Sequence, residues 1–349
     1  MHRKQKYIPH QVIWEMTLHC NLRCLHCGSS AGKPRQNELT TTEAIQLCQD
    51  LKEINTQEVC LIGGEPFLRK DFYSIAKKIK KLNMKLLIIS NGYSINKKII
   101  SQLKQLKPHA IALSLDGSTA KTHDFIRRRK GSFHKIVECL TLMKEANLPI
   151  TIITTVNKLN IRELPLIWNL ISNKQIAWQI QVATPEGRFT KKHALSKEEY
   201  YSVALFIASL KKKYPTTELP VIGAHCFGYH STHLPCLGLF HEWGGCQAGL
   251  SILSIKSNGD VIGCLSAPHT LIEGNIREKS IAQIWNDSEA FAYNRAFKTT
   301  DLGPHCKGCR FGETCKGGCM GMSVGFTSLL HNHPYCFHRI EPELFSNEK

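Results

Sequence analysis

The sequence contains no run approaching the roughly 18 consecutive apolar residues that a membrane-spanning helix needs. Its basic start, Met1 to His10, is followed by neither an apolar stretch nor a small-residue cleavage site, so no secretory signal is read there. These two absences predict a cytoplasmic protein that does not engage a membrane. Negative charge is also scarce: 28 Asp and Glu face 45 Lys and Arg, for a net charge of +17. Such a balance favours an anionic partner, whether nucleic acid, acidic peptide or phosphorylated molecule. Much of the excess, however, follows helical periodicity. Lys77, Lys78, Lys80 and Lys81 alternate with Ile75, Ala76, Ile79 and Leu82 as the wet face of a helix, and Lys211–Lys213 close another near its negative dipole end. A dedicated nucleic-acid surface is therefore not expected.

Cysteine, by contrast, is abundant, with 15 in 349 residues. In a reducing compartment that usage points to metal binding or catalysis rather than disulfides, and the odd total agrees. The densest stretch is Cys20-Asn21-Leu22-Arg23-Cys24-Leu25-His26-Cys27. At Cys-x3-Cys-x2-Cys spacing, three thiolates fit one tight loop and can converge on a soft metal centre. A zinc loop or a set of buried thiols is the plainer alternative. Entered from the apolar run Val12–Thr17, the spacing resembles the signature of the radical S-adenosylmethionine (SAM) enzymes. The resemblance implies a 4Fe–4S cluster with one open iron that chelates SAM. An electron from that cluster cleaves SAM to a 5′-deoxyadenosyl radical, which abstracts hydrogen.

Residues 12 to 182 alternate strand and helix patterns. Strands are expected at Val12–Thr17, Glu58–Ile62, Lys85–Ser90, Ala110–Leu115, Ile150–Val156 and Ile176–Val182. Helices are expected near Thr41–Lys52, Asp71–Leu82, Asn96–Leu106, Ser132–Ala146 and Ile161–Ile171. The alternation predicts an α/β fold of parallel units, either an open sheet or an incomplete barrel, with ligands at the C-terminal ends of the strands. The family resemblance selects a six-stranded partial (β/α) barrel.

The remaining motifs fall at those strand ends. Gly63-Gly64-Glu65-Pro66 follows the second strand, its glycines leaving the backbone open to a ligand; it matches the family motif that hydrogen-bonds the SAM amino group. Ser90-Asn91-Gly92 and Ser114-Leu115-Asp116-Gly117 end the third and fourth strands. By resemblance Ser90, Asn91, Ser114 and Asp116 contact the SAM ribose and methionine, and Arg127 faces its carboxylate. Gln179 and Gln181 share one face of the sixth strand, and Gln181 is the candidate for adenine. His26 stands where the family usually has an aromatic residue before its third cluster cysteine, and its ring can still stack on adenine. Cys48, Cys60 and Cys139 read as core.

Composition shifts around 184 to 220, starting with the loop Thr184–Arg188. A boundary near 215 divides a core domain (1–215) from a smaller cysteine-rich α+β domain (216–349). The second region holds Cys236, Cys246, Cys264, Cys306, Cys309, Cys315, Cys319 and Cys336, with a hairpin signal at Asn258-Gly259. Eight thiolates make two closed four-cysteine sites, and such sites select zinc or iron–sulfur. The spacing resembles the seven-cysteine SPASM domains, which hold two auxiliary 4Fe–4S clusters. By resemblance Cys306, Cys309, Cys315 and Cys336 serve the distal cluster and Cys246, Cys264 and Cys319 the proximal one. Cys236 is the candidate fourth ligand, with Cys226 second.

The resemblance implies oxidation of a peptide or small protein, with SAM and three 4Fe–4S clusters as cofactors. The preferred reading is crosslink maturation of a ribosomally made peptide. Sulfatase maturation is disfavoured because Leu265, not aspartate, follows Cys264. A haem or quinone-cofactor role, and a non-catalytic electron carrier, are the other readings weighed. The partners expected are an acidic peptide, an electron donor such as flavodoxin or ferredoxin and, because the core begins by about residue 11, a separate leader-binding protein. No residue is assigned as general base.

Overall fold

Residues 7–174, 176–214, 220–227, 230–239 and 243–345 are described by a computed structural model. Six parallel strands form its N-terminal half: β1 (Gln11–Glu15), β2 (Glu58–Ile62), β3 (Lys85–Ser90), β4 (Ala110–Ser114), β5 (Ile150–Val156) and β6 (Ala177–Val182). They lie side by side in chain order, and β1 does not pair with β6, so the six-stranded core is open as a partial barrel requires. Between them run α1 (Thr41–Glu53), α2 (Phe72–Lys81), α3 (Lys97–Leu106), α4 (Ala120–Arg127), α5 (Ser132–Glu145) and α6 (Leu164–Ile171), and α7 (Lys197–Lys213) follows β6.

Local chemistry explains the boundaries. Thr40 and Ser196 cap α1 and α7 as capping boxes with Glu43 and Glu199, and Asn96 and Thr119 cap α3 and α4. Each such cap is worth about 1 kcal/mol. On β6, Trp178, Ile180 and Val182 are buried while Gln179 and Gln181 share the half-buried opposite face, as strand alternation demands. Ile75, Ala76 and Ile79 bury one side of α2 and leave the lysines outside. Cys48, Cys60 and Cys139 are core residues whose thiols burial pushes up to about 12.

The sheet is larger than six strands. Beyond β6 it adds β7 (Val221–Gly223), and on the other side β8 (Ile252–Ile255) runs parallel to β1, followed by antiparallel β9 (Asp260–Ile262) and β10 (Ile272–Asn275). The cysteine-rich half thus begins as a continuation of the core sheet. Asn258-Gly259 does turn the β8–β9 hairpin, with Gly259 at φ +91°. The proposed boundary near 215 lies outside the described residues. No helix among the described residues is long and apolar enough to cross a membrane.

Candidate active site

The C-terminal ends of β1 to β4 assemble the first site. After Glu15 the chain runs through Thr17, Leu18 and His19 into the cysteine loop, pressed against the end of β2. A Cβ on Gly63 would sit 2.4 Å from the Thr17 carbonyl oxygen, and one on Gly64 would sit 2.2 Å from that of His19. The Gly64 and Glu65 amides donate to those carbonyls at 2.7 and 2.8 Å. The two glycines therefore let the backbone leading to Cys20 approach.

Glu65 is fully buried and accepts from the Ser90 hydroxyl and the Asn91 amide, both at 2.8 Å. Burial pushes its carboxyl up to about 7 against those donors. Asn91 donates through Nδ2 to Asn21 Oδ1 at 2.9 Å and to Cys20 Sγ at 3.7 Å. Glu65, Ser90 and Asn91 thus brace the strand ends behind the cysteine loop.

Each thiol of the loop has a donor. Leu22 N–H reaches Cys20 Sγ at 3.4 Å, Arg127 Nη1 reaches Cys24 Sγ at 3.6 Å, and Ala31 N–H reaches Cys27 Sγ at 3.4 Å. Burial raises the Cys20 thiol to about 11 and also raises that of Cys24. The charges of Cys24 and Cys27 add to the rise at Cys20, and that of Cys27 to the rise at Cys24. Three mutually repelling thiolates in a buried loop are held most favourably by a bound cation or cluster.

Beside them lies Asp116, fully buried, with Arg127 Nη2 at 2.6 Å and His26 Nε2 at 3.4 Å from Oδ2. Thr155 N–H donates to Oδ1 at 2.8 Å. Burial pushes the Asp116 carboxyl up, but Arg127, with His26 and His123, outweighs it and holds the group below its ordinary value. Burial drives His26 down to about 4 despite Asp116, so its ring is neutral near pH 7. Arg127, the residue expected to face the SAM carboxylate, is held by Asp116 and Cys24. Arg127 Nε and His26 Nδ1 are nevertheless buried with no hydrogen-bond partner. Leftover polar atoms of this kind suit a small polar ligand, as SAM is. Ser114 is half-buried at the end of β4, and Gln181 donates to Thr155 Oγ1 at 2.9 Å.

In the C-terminal half burial raises the thiols of Cys264, Cys319, Cys306, Cys315 and Cys336 above the ordinary cysteine value, and neighbouring thiols add to the rise in two groups. Cys246 and Cys319 act on Cys264, and Cys246 on Cys319. Cys309 acts on Cys306, Cys306 and Cys309 on Cys315, and Cys315 and Cys306 on Cys336. The interleaving arises because the residues between Cys315 and Cys319 are all left-handed: Lys316, Gly317 and Gly318 have φ of +52°, +72° and +77°. A Cβ at Gly317 would lie 2.3 Å from the His331 backbone. This sharp coil turns Cys319 away from its neighbours in sequence. Cys226 adds to the repulsion at Cys319, whereas the charge of Cys236 is felt by Lys211. Among the described residues no three Cys, His, Asp or Glu converge on a single ion. A four-iron cluster instead takes one thiolate at each iron, and all-thiolate sets of this softness fit it.

The loop after β6 joins the two halves, a role that sequence reading did not assign. Arg188 donates from its backbone to Cys27 O at 3.1 Å, from Nε to Cys24 O at 2.9 Å and from Nη1 to Ala31 O at 2.9 Å. Glu186 is half-buried, its Oε2 3.2 Å from the point a Cβ on Gly28 would take, with Ser266 and Lys256 on its other side. Burial pushes its carboxyl up against those two neighbours. The signal available was position: a Thr-Pro-Glu-Gly-Arg loop at the ligand-bearing end of a parallel strand.

A family model described as the radical SAM superfamily matches residues 14–171, and one described as an iron-sulfur cluster-binding domain, SPASM, matches 246–310. An AdoMet-dependent heme synthase of Methanosarcina barkeri is 27% identical over 95% of this chain and 97% of its own length. The mycofactocin maturase MftC of Mycobacterium tuberculosis is 29% identical over 93% of this chain and 82% of its own. The crystal structure of Streptococcus suis SuiB bound to precursor peptide SuiA superposes with a TM-score of 0.74 at 17% identity, covering 95% of this chain and 75% of that one.

Proposed function

The chain carries a radical SAM domain and a SPASM iron–sulfur cluster-binding domain, and from that premise we propose that it oxidises a peptide by joining two of its groups in a crosslink. The reading is carried by the meeting, at one end of the sheet, of the Cys20–Cys27 loop, the buried Asp116–Arg127 pair and the Glu186 carboxylate. Cys20, Cys24 and Cys27 would hold a SAM-binding 4Fe–4S cluster. Cys306, Cys309, Cys315 and Cys336 would hold one auxiliary cluster, and Cys246, Cys264 and Cys319 most of another. When bound, SAM and its cluster supply a 5′-deoxyadenosyl radical able to take hydrogen from unactivated carbon. Asp116, Arg127 and the neutral His26 ring orient the ligand. Glu186 takes the proton that the substrate's nucleophile releases as the crosslink closes, and the electron left over would pass to an auxiliary cluster. Leu265 cannot do this, since it packs on the apolar cluster of Ala248, Ile262 and Met320. A flavodoxin- or ferredoxin-type donor supplies the electron.

One observation favours a second substrate. The heme synthase shares its identity along nearly its whole length, and an anionic porphyrin would suit a chain of net charge +17 as well as an acidic leader does. The test incubates reduced enzyme and SAM with any short peptide encoded beside the gene and, separately, with Fe-coproporphyrin III. Loss of two hydrogens with a new crosslink, read by mass and fragmentation, supports the peptide reading. Haem formation would replace it with the second. Deuterium uptake from solvent without net mass loss would indicate epimerisation, and formylglycine formation would overturn the argument from Leu265. Glu186→Gln should lower crosslink formation by about 10²–10⁴-fold while 5′-deoxyadenosine still forms.

A further inference from the structure

We propose that the exposed basic turn Arg128–Lys130, with Phe125 beside it, is where the electron donor docks. The partner it fits is an acidic electron-transfer protein whose redox group lies beneath an apolar, acid-rimmed surface. The inference rests on the reading of Cys20, Cys24 and Cys27 as cluster ligands and deepens it by giving the donor a place.

The turn is fastened directly to the cysteine loop. The carbonyls of Ile126 and Arg127 accept the amides of Leu25 at 2.8 Å and of Arg23 at 3.4 Å. Arg127 sends its side chain inward to Asp116 and Cys24. At the next residue the chain reverses: Arg128 ends α4 in the left-handed region at φ +50°, and Arg128, Arg129 and Lys130 are all exposed. The Arg129 guanidinium lies over the Tyr93 ring, 4.8 Å from its centroid. Tyr93 is itself tied to the site, since its amide donates at 2.8 Å to Asn91, whose Nδ2 reaches Cys20 Sγ. Arg23, on the cysteine loop, adds a further exposed cation.

These charges are free to meet a partner. None of the Arg128, Arg129 and Lys130 side chains forms a hydrogen bond or ion pair with another described residue. Asp124, the one acidic residue of 120–131, is occupied within the turn. Its carboxylate accepts from the Gly131 amide at 2.6 Å, the Ser132 hydroxyl at 2.8 Å and the Phe133 amide at 2.8 Å. That bracing holds the cations on a preformed surface, which lowers the ordering cost of binding. Phe125 is 61% exposed, three residues before Arg128. An exposed aromatic with arginines around it has the composition of an interface anchor and its rim.

Charge complementarity asks for an acidic partner, and position selects its kind. Of the anionic partners that the net charge of +17 admits, an electron carrier is the one that needs closeness to the Cys20–Cys27 loop without contact to SAM. Seated on this turn, it meets backbone that is hydrogen-bonded to the loop. The carrier gives up one electron to a cluster held there and is oxidised by one electron; no proton or group changes hands.

The test measures binding of the reconstituted enzyme to two probes, a bacterial flavodoxin and a two-cluster bacterial ferredoxin, by biolayer interferometry at 50 and 500 mM salt. SAM cleavage is followed with each reduced probe and, separately, with dithionite. At least one probe should bind wild type, and binding should weaken about tenfold or more across that salt range. The triple variant Arg128→Glu, Arg129→Glu, Lys130→Glu should bind about 100-fold more weakly and slow carrier-driven cleavage, while the dithionite-driven rate stays that of wild type. Phe125→Ser should weaken binding about tenfold at both salt concentrations. Reversing Lys77, Lys80 and Lys81 on α2 changes the net charge equally and should leave binding as it was. Binding of neither probe to wild type, or equal weakening by the α2 reversal, would overturn the proposal. Loss of dithionite-driven SAM cleavage in the triple variant would make the turn part of the site, and loss of dithionite-driven product formation alone would give the surface to the substrate; either overturns it. Wild type unable to cleave SAM even with dithionite would sink the cluster reading itself, a failure distinct from a misplaced docking face.

Discussion

The two halves of the chain hold thiols by different means. In the N-terminal half Cys20, Cys24 and Cys27 hang from the ends of hydrogen-bonded parallel strands; Asn91 and Arg127, fixed elsewhere in the frame, donate to Cys20 and Cys24, and the nearby Ala31 N–H donates to Cys27. Behind them Val12, Trp14, Val59, Leu61, Leu86 and Ile88 are fully buried in one core. Past β10 the C-terminal half has only short helices, of four to nine residues, broken by left-handed residues such as Phe291, Lys316, Ser328 and His331. A backbone of that kind gains little from its own periodicity, and much of its order depends on what the thiols bind. The barrel would support a cluster held at Cys20–Cys27, whereas the segment around Cys306–Cys336 would be supported by the one it held.

The sharpest way to break that contrast is to remove the iron. Anaerobic chelation should render residues 303–336 sensitive to limited proteolysis, with cleavage sites mapped by mass spectrometry. The strands β1 to β6 and the helices between them should stay protected. Cleavage of both halves at equal rates, or of neither, would erase the distinction.

A smaller effect isolates the barrel's own polar frame. Asp116→Asn leaves Arg127 buried without its counter-charge, and removing one partner of a buried pair costs about 3–5 kcal/mol. Urea denaturation of the N-terminal half, followed by tryptophan fluorescence from buried Trp14 and Trp178, should show that loss. Cys309→Ala should leave the same transition in place. An Asp116→Asn cost below about 1 kcal/mol would mean the pair serves only the ligand.

The same contrast explains what could be read beforehand. The six parallel strands were legible because each is a short apolar run, and most helices because an apolar stripe recurs. The helix α4 was not, since Ala-Lys-Thr-His-Asp-Phe-Ile-Arg is short and mostly polar; it exists because Thr119 caps it and Ile126 and His123 are buried. The joining of β8 to β1 is a pairing across some 240 residues, which no local pattern encodes. Cysteine spacing grouped the thiols of each region, yet it could not separate Cys226 from Cys236, because that depends on tertiary packing. Arg127 was found by motif, but its capture by Asp116 and Cys24 follows from tertiary packing. Glu186 was passed over as a loop residue because its contacts on Gly28, Ser266 and Lys256 come from three separate segments.

The smallest expected effect concerns the seam between the halves, where two ionic links differ in burial. Glu15, 2% exposed at the end of β1, accepts from Arg35 Nη2 and from the Ser257 hydroxyl, both at 3.0 Å, and from the Ser257 N–H at 3.2 Å. One carboxylate thereby ties a core strand, the segment after the cysteine loop and the β8–β9 turn. Arg277 grips Glu43 at 2.6 and 2.9 Å near the same hairpin, but both partners are about a third exposed. Water and salt screen that second link, so Arg277→Ala should cost no more than about 1 kcal/mol. Glu15→Gln keeps the shape of the side chain but weakens two charge-assisted contacts in a site water does not reach, and should cost about 1.5–3 kcal/mol. Because the carboxylate braces the strand that leads to Cys20 as well as the hairpin that leads to Cys264, its loss should also loosen both cluster regions together. Hydrogen exchange should show faster opening at Met16–His19 and at Lys256–Asp260 in Glu15→Gln, and at neither in Arg277→Ala. Equal effects of the two substitutions would mean that the halves are joined by the continuous sheet alone, with the buried carboxylate adding nothing to it.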